Sequence, residues 1–187
     1  MLAWLRERLP VRRFGPIAAA IACPPQLVAF RDAGAFAVDV AIAWLLLAQF
    51  RLWDDLVDRE RDRERHPHRV LARTSRVKAY VLLCVALAIG NALVLGSRES
   101  ARLALSLFVA LTALLAAAYT RPYRTPATDL IRLAKYPVFV LLIAAGHPEG
   151  YGAAAYAAAI AAFVVAVAYE VWHDADTPLR VSVRRSS

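Results

Sequence analysis

Cysteine is nearly absent from this 187-residue chain, and the two present, Cys23 and Cys84, lie inside apolar runs without the paired spacing of a metal site. Burial as small apolar side chains is the expectation for both. Acid is scarce relative to base, 15 Asp and Glu against 23 Lys and Arg, for a formal net charge of +8. Anionic lipid headgroups suit such basic loops, so the charge does not call for nucleic acid. No Gly/Ser-rich hinge, long linker or low-complexity tail interrupts the sequence, and residues 1–187 read as a single integral membrane domain.

What the chain has in excess is apolar surface: 60% of residues are hydrophobic and mean hydropathy is +0.47. A water-soluble domain of this size fills its core with less, so the bilayer is the expected solvent for the remainder. Crossing about 30 Å of hydrocarbon takes roughly 20 mostly apolar residues. Six runs come near that length: Phe14 to Phe30, Ala33 to Trp53, Val77 to Gly96, Leu103 to Tyr119, Leu133 to Gly146 and Tyr151 to Trp172. Pro24-Pro25 should break or kink the first, and Pro137 interrupts the short fifth.

The basic residues provide a check on topology, because short cytoplasmic loops concentrate Lys and Arg. With six spans and the N-terminus inside, twenty of the 23 basic residues fall on the cytoplasmic side, and Arg31, Arg98 and Arg102 remain outside. Dropping one helix would move later basic loops to the wrong face. A signal peptide ending near Ala20-Ile21-Ala22-Cys23 is the alternative for the first run, but its removal would also remove the span that balances the charge. The fold class expected is an all-α, multi-pass transmembrane bundle of about six helices in a cytoplasmic (inner) membrane, both termini cytoplasmic. Outer connections are short (Arg31 to Asp32, Ser97 to Ala101, His147 to Gly150) and inner ones long and polar, so chemistry belongs on the inner face.

The densest inner segment is Trp53 to Arg69, WDDLVDRERDRERHPHR, with six acids and five arginines. Asp55, Asp58 and Asp62, at i, i+3 and i+7, share one face of a helix. Repulsion among them would be relieved by Mg²⁺, which takes one or two carboxylates and completes its shell with water and phosphate oxygens. A solvated juxtamembrane helix, with its arginines paired to its acids, is the plain alternative. Two further inner segments carry similar material: Tyr119 to Arg124, YTRPYR, and Tyr169 to Asp176, YEVWHDAD, in which Glu170 and Asp174 form a second acidic face.

Taken together these segments resemble the UbiA superfamily of intramembrane prenyltransferases. Asp55-x-x-Asp58-x-x-x-Asp62, then Pro67 and Arg69, is similar to that family's N-D-x-x-D-x-x-x-D and P-x-R, with Asp54 in place of Asn. Tyr119, Pro122 and Arg124 resemble its Y-S-x-P-x-R, with Thr120 for Ser, and Glu170-x-x-x-Asp174 resembles D-x-x-x-D, with Glu first. The resemblance implies Mg²⁺-dependent transfer of a prenyl group from an allylic diphosphate to an acceptor: an aromatic, a quinone precursor, a tetrapyrrole or a lipid. It assigns Asp55, Asp58, Asp62, Glu170 and Asp174 to metal. Asp54, Arg69, Tyr119, Arg124 and Asp176 are assigned to the substrate side. Family members have about nine spans, so the wall supplied by the last helices would come from a second subunit or a homo-oligomer, or be absent. The rival class is a non-catalytic partner or degenerate member that assists another prenyltransferase.

Other resemblances fit less well. Asp54-Asp55-x-x-Asp58 also matches the DDxxD of soluble isoprenyl synthases, against which the hydropathy argues. CDP-alcohol phosphotransferases interleave Gly among their acids, and Arg51 to Arg69 has none. His66 and His68 lack a third ligand, and His173 beside Asp174 suits either diphosphate or packing. Trp44, Trp53, Tyr169 and Trp172 read as interface or core aromatics. Asp39, an acid within the second run, should face a bundle interior or lie near enough to the outer surface to be solvated.

Overall fold

The computed structural model describes residues 1–28, 32–121, 123–147, 151–174 and 177–179. Among these the regular structure is all helical: α1 (Leu2–Arg8), α2 (Val11–Val28), α3 (Ala33–Val57), α4 (Arg59–Arg65), α5 (Val70–Arg73), α6 (Val77–Gly96), α7 (Ala101–Tyr119), α8 (Pro126–Leu133), α9 (Lys135–Ala144) and α10 (Ala153–His173). Four of them, α3, α6, α7 and α10, are long and apolar enough to cross a membrane. Pro24-Pro25 does not break α2, which runs through the pair. The missing N–H groups remove two bonds but do not forbid helical φ. The chain packs as two compact units, Met1–Cys23 with Arg31–Val94, and Pro24–Phe30 with Leu95–Ser187, so one division falls at the proline pair.

In the first unit α3 is the central element and the most buried of the four candidate spans. The Asp32 side chain caps its start, accepting from the Ala35 amide at 2.7 Å. Its 25 residues make about 38 Å of helix, longer than the roughly 30 Å hydrocarbon layer, and the acids Asp54 and Asp55 lie in its last turn. Near its other end Asp39 is 1% exposed, so it faces protein interior rather than solvent. The second long helix, α6, presents Leu82, Val85, Ile89 and Leu93 outward, the surface expected of a lipid-facing helix.

A buried polar pair ties α6 to α3. Asn91 Nδ2 donates to the Gln49 side-chain oxygen at 2.7 Å and to the Leu45 carbonyl at 3.3 Å, with both side chains 1% exposed. Such interhelical bonds hold spans together in the absence of a hydrophobic drive within lipid. Replacing Asn91 with Leu is expected to cost about 1–2 kcal/mol, because Gln49 loses its donor while remaining buried. Thermal unfolding in detergent, compared with Gln49→Leu/Asn91→Leu, checks it: the double variant should regain part of the loss.

In the second unit α9 packs against α10 and α7. The helix preceding it starts with a capping box: Thr125 accepts from the Thr128 amide at 3.2 Å, Thr128 Oγ1 accepts from the Thr125 amide at 2.8 Å, and Pro126 occupies the first turn. Two sets of contacts define the ends of this unit. At one, Arg124, just after α7, meets Glu170 and Asp174 at the end of α10. At the other, the Ser100 amide, just before α7, donates to the Ala145 carbonyl at 3.1 Å, and the Arg98 guanidinium lies against the Gly146 backbone where no side chain stands. The segment α8–α9 therefore runs the length of the unit, although α9 alone has 10 residues.

Candidate functional site

The charged segment after α3 folds back on itself. Asp58 closes α3, its amide donating to the Asp54 carbonyl at 2.9 Å, and α4 follows at once. Much of the arginine is spent on backbone. Arg59 Nε and Nη2 donate to the Leu71 and Thr74 carbonyls at 3.1 Å each, and Arg63 Nε donates to the Ala72 carbonyl at 3.1 Å. These are the last carbonyls of α5 and its exit, which a helix of four residues cannot satisfy internally. Arg59 and Arg63 both also pair with the exposed Glu60.

Asp55 is 5% exposed, and both its oxygens are engaged. Arg8 donates from Nη2 to Oδ1 at 2.6 Å and from Nε to Oδ2 at 2.9 Å; Trp4 Nε1 donates to Oδ2 at 2.9 Å. Arg51 Nε lies 3.7 Å from Oδ1. Burial opposes charge on Arg8, but the hydrogen bonds and field of Asp55 outweigh it and raise its pKa. Trp4 and Leu9 pack with Ala48, Leu52, Leu71 and Tyr80. Asp55 is thus the polar anchor by which α1 docks on α3, reinforced where Glu7 accepts from the Val70 amide at 3.0 Å. The sequence reading did not connect Arg8 or Trp4 with Asp55; only the i, i+4 spacing of the two on α1 places them on one face.

Asp62, 7% exposed, pairs with Arg69 across the turn containing Pro67, bringing together two elements of the first motif. Asp54 and Asp58 are half-buried. The His66 and His68 rings stand edge to face at 6.0 Å. Slight desolvation and the nearby Arg69 hold the His66 imidazole below its usual pKa, favouring the neutral ring.

In the second unit Arg124 gathers three carboxylates. Its Nε and Nη2 donate to Asp129 at 2.9 and 3.1 Å, Nη2 also to Glu170 Oε1 at 2.9 Å, and Nη1 to Asp174 Oδ2 at 3.2 Å. Burial opposes the charge on this guanidinium, yet Asp129 and Glu170 together raise its pKa well above the ordinary arginine value. Asp129 is 1% exposed and also accepts from Thr177 Oγ1 at 3.2 Å. Neither Asp129 nor Thr177 belongs to a motif read in the sequence; the Thr125-Pro126 helix start, which places Asp129 at the head of α8, was the available signal. The Arg132 guanidinium covers the Tyr119 ring at 4.9 Å, and His173 stacks on Tyr169 at 5.1 Å. Pro122 and Asp176 lie outside the described residues.

Three carboxylates around one guanidinium leave two negative charges that Arg124 does not neutralise. All the donors are hard oxygens, as Mg²⁺ requires, and the Glu170 and Asp174 side chains retain 24% and 29% exposure. These are the donor types a divalent cation takes, but Arg124 occupies them in this structure. Asp55 fits such a cation less, because its lone pairs are already filled from α1. Among the described residues no three His, Cys, Asp or Glu side chains converge closely enough to hold a metal ion as they stand. Comparison with protein-family models, curated proteins and solved structures finds no match to the chain.

Proposed function

We propose that the chain binds an allylic prenyl diphosphate at the cytoplasmic face of the membrane and transfers its prenyl group to an acceptor, as its resemblance to the UbiA superfamily implies. The supporting observation is Arg124 with Glu170 and Asp174: two motifs separated by α8, α9 and most of α10 meet in one cluster. Crossings by α2 and by the α8–α9 pair, added to the four long helices, would make the six-helix bundle, with both termini in the cytoplasm.

In this reading the acid–guanidinium pairs are the resting form of a site for an anion and a cation. Arg124 in the second unit, and Arg69 in the first, are each able to turn from a carboxylate to diphosphate oxygens, where charge-assisted bonds to a more highly charged group favour them. Glu170 and Asp174 are thereby freed in the second unit, where they would hold Mg²⁺, and Asp62, beside Asp58 in the first motif, is freed where Arg69 turns. When bound, Mg²⁺ neutralises charge developing on the leaving diphosphate. The allylic C–O bond breaks with its electron pair passing to the diphosphate; the acceptor forms the new bond and loses a proton. Tyr119, braced by Arg132, borders the head group, and the apolar helices receive the prenyl tail.

The test is binding of a non-hydrolysable geranylgeranyl diphosphate analogue to the purified protein, with and without Mg²⁺. Magnesium-dependent binding, lowered at least tenfold by Glu170→Gln/Asp174→Asn and abolished as transfer by Asp58→Asn with insertion intact, is the expected result. No binding by folded protein across prenyl lengths overturns the proposal. A second reading, a non-catalytic partner subunit, is favoured by one observation: Asp55, the first motif acid, is given over to anchoring α1. Co-purification with a larger homologue and no turnover alone would support that reading.

A further inference from the structure

The inner face of α1 is accounted for by Trp4, Arg8 and Leu9, but its outer face is not. Leu2 is 71% and Leu5 37% exposed, and Val11, at the start of α2, is 72% exposed. Interleaved with them are Arg6, Arg12 and Arg13, all exposed and making no ion pair among the described residues. Their neighbours in the charge count are otherwise committed: Arg8 pairs with Asp55 and Glu7 accepts from the Val70 amide. Apolar side chains and unspent cations exposed side by side over residues 2–13 are unfavourable in water on the first count and uncompensated on the second.

This stretch has a defined height. The α1 helix is bonded to Asp55, three residues from the end of the 25-residue α3, and its Trp4 packs with Leu52 and Ala48, one and two turns farther in. That level is where a span of this length leaves hydrocarbon and meets headgroups. A short helix carrying leucines beside arginines at this depth has the composition of an interfacial helix.

We propose that α1 and the first turn of α2 form a docking surface for anionic phospholipid headgroups of the leaflet at the C-terminal end of α3. Leu2, Leu5 and Val11 enter the headgroup–acyl boundary, and Arg6, Arg12 and Arg13 pair with lipid phosphates. The charge complementarity commits the partner: a zwitterionic surface supplies no net charge to meet the three free guanidinium groups, whereas an anionic one does. The surface does not depend on the prenyl-transfer reading, since it is built from residues that reading leaves unused.

The experiment places a single cysteine at Leu5 in a background with Cys23 and Cys84 replaced by Ala, labels it with an environment-sensitive fluorophore, and reconstitutes the full chain in nanodiscs. Discs of phosphatidylcholine alone are compared with an equal mixture of phosphatidylcholine and phosphatidylglycerol. The expected result is blue-shifted emission and several-fold stronger quenching by acyl-chain quenchers in the mixture. Added salt and Arg6→Gln/Arg12→Gln/Arg13→Gln should both reverse the effect, and the corresponding triple Lys variant should retain it. A label that stays in water in both lipids, or inserts equally in both, overturns the proposal. So does an anionic-lipid effect that survives the triple Gln variant.

Discussion

Replacing Arg124 with alanine is expected to destabilise the protein by about 3–5 kcal/mol, the usual cost of removing one partner from a buried ion pair. Asp129 decides that figure. It is 1% exposed and receives two of the four Arg124 bonds, so the substitution strands a carboxylate that water cannot reach. Glu170 and Asp174 are nearer solvent and lose less. A double-mutant cycle separates the contributions: coupling of Arg124 to Asp129 should exceed coupling of Arg124 to Glu170 by at least twofold. Thermal or denaturant unfolding in detergent reads both. Asp129→Asn should retain much of the stability while loosening the hold on Arg124. Equal couplings would mean that Glu170 holds the guanidinium as firmly as Asp129 does.

The second large effect belongs to Asp55. Asp55→Ala removes the acceptor for Arg8 and for Trp4 Nε1 together, and is expected to cost on the order of 3 kcal/mol and release α1. Trp4→Phe, which keeps an aromatic side chain but loses the hydrogen bond and part of the buried indole, should cost less, about 1–2 kcal/mol. Hydrogen exchange over residues 2–8 distinguishes anchoring from a general loss of stability. In Asp55→Ala those amides should exchange many-fold faster, while amides in α6 and α7 change little. Unchanged exchange in α1 would refute the anchoring role. For analogue binding the order of severity should be Asp58→Asn above Asp55→Ala, since both Asp55 oxygens are engaged by α1.

Much of this protein follows from pattern along the chain. Long apolar runs become helices because a backbone in lipid must satisfy its own hydrogen bonds, and four of the six runs form helices long enough to span. The three polar segments at their ends are legible as candidates because each sets charged and aromatic residues in a short pattern directly after an apolar run. The uninterrupted apolar runs of Val77–Gly96 and Ala153–His173 need no tertiary help. The proline pair does not break the helix: absent N–H groups lower helix preference, but α2 passes through both residues.

Tertiary structure alone decided which charge meets which. The spacing of Asp55, Asp58 and Asp62 describes one helical face, yet Asp58 ends α3, and Asp55 and Asp62, on either side of it, are held by different arginines. Asp55 turns to Arg8, 47 residues away, and Asp62 to Arg69. Asp129, in no motif, became the most buried partner of Arg124 because α8 starts at Thr125 and directs its first turn inward. Helix formation is local, set by residues within one or two turns, so the sequence states it directly. Ion pairing falls off with distance and depends on burial, and both are known only once the helices have packed.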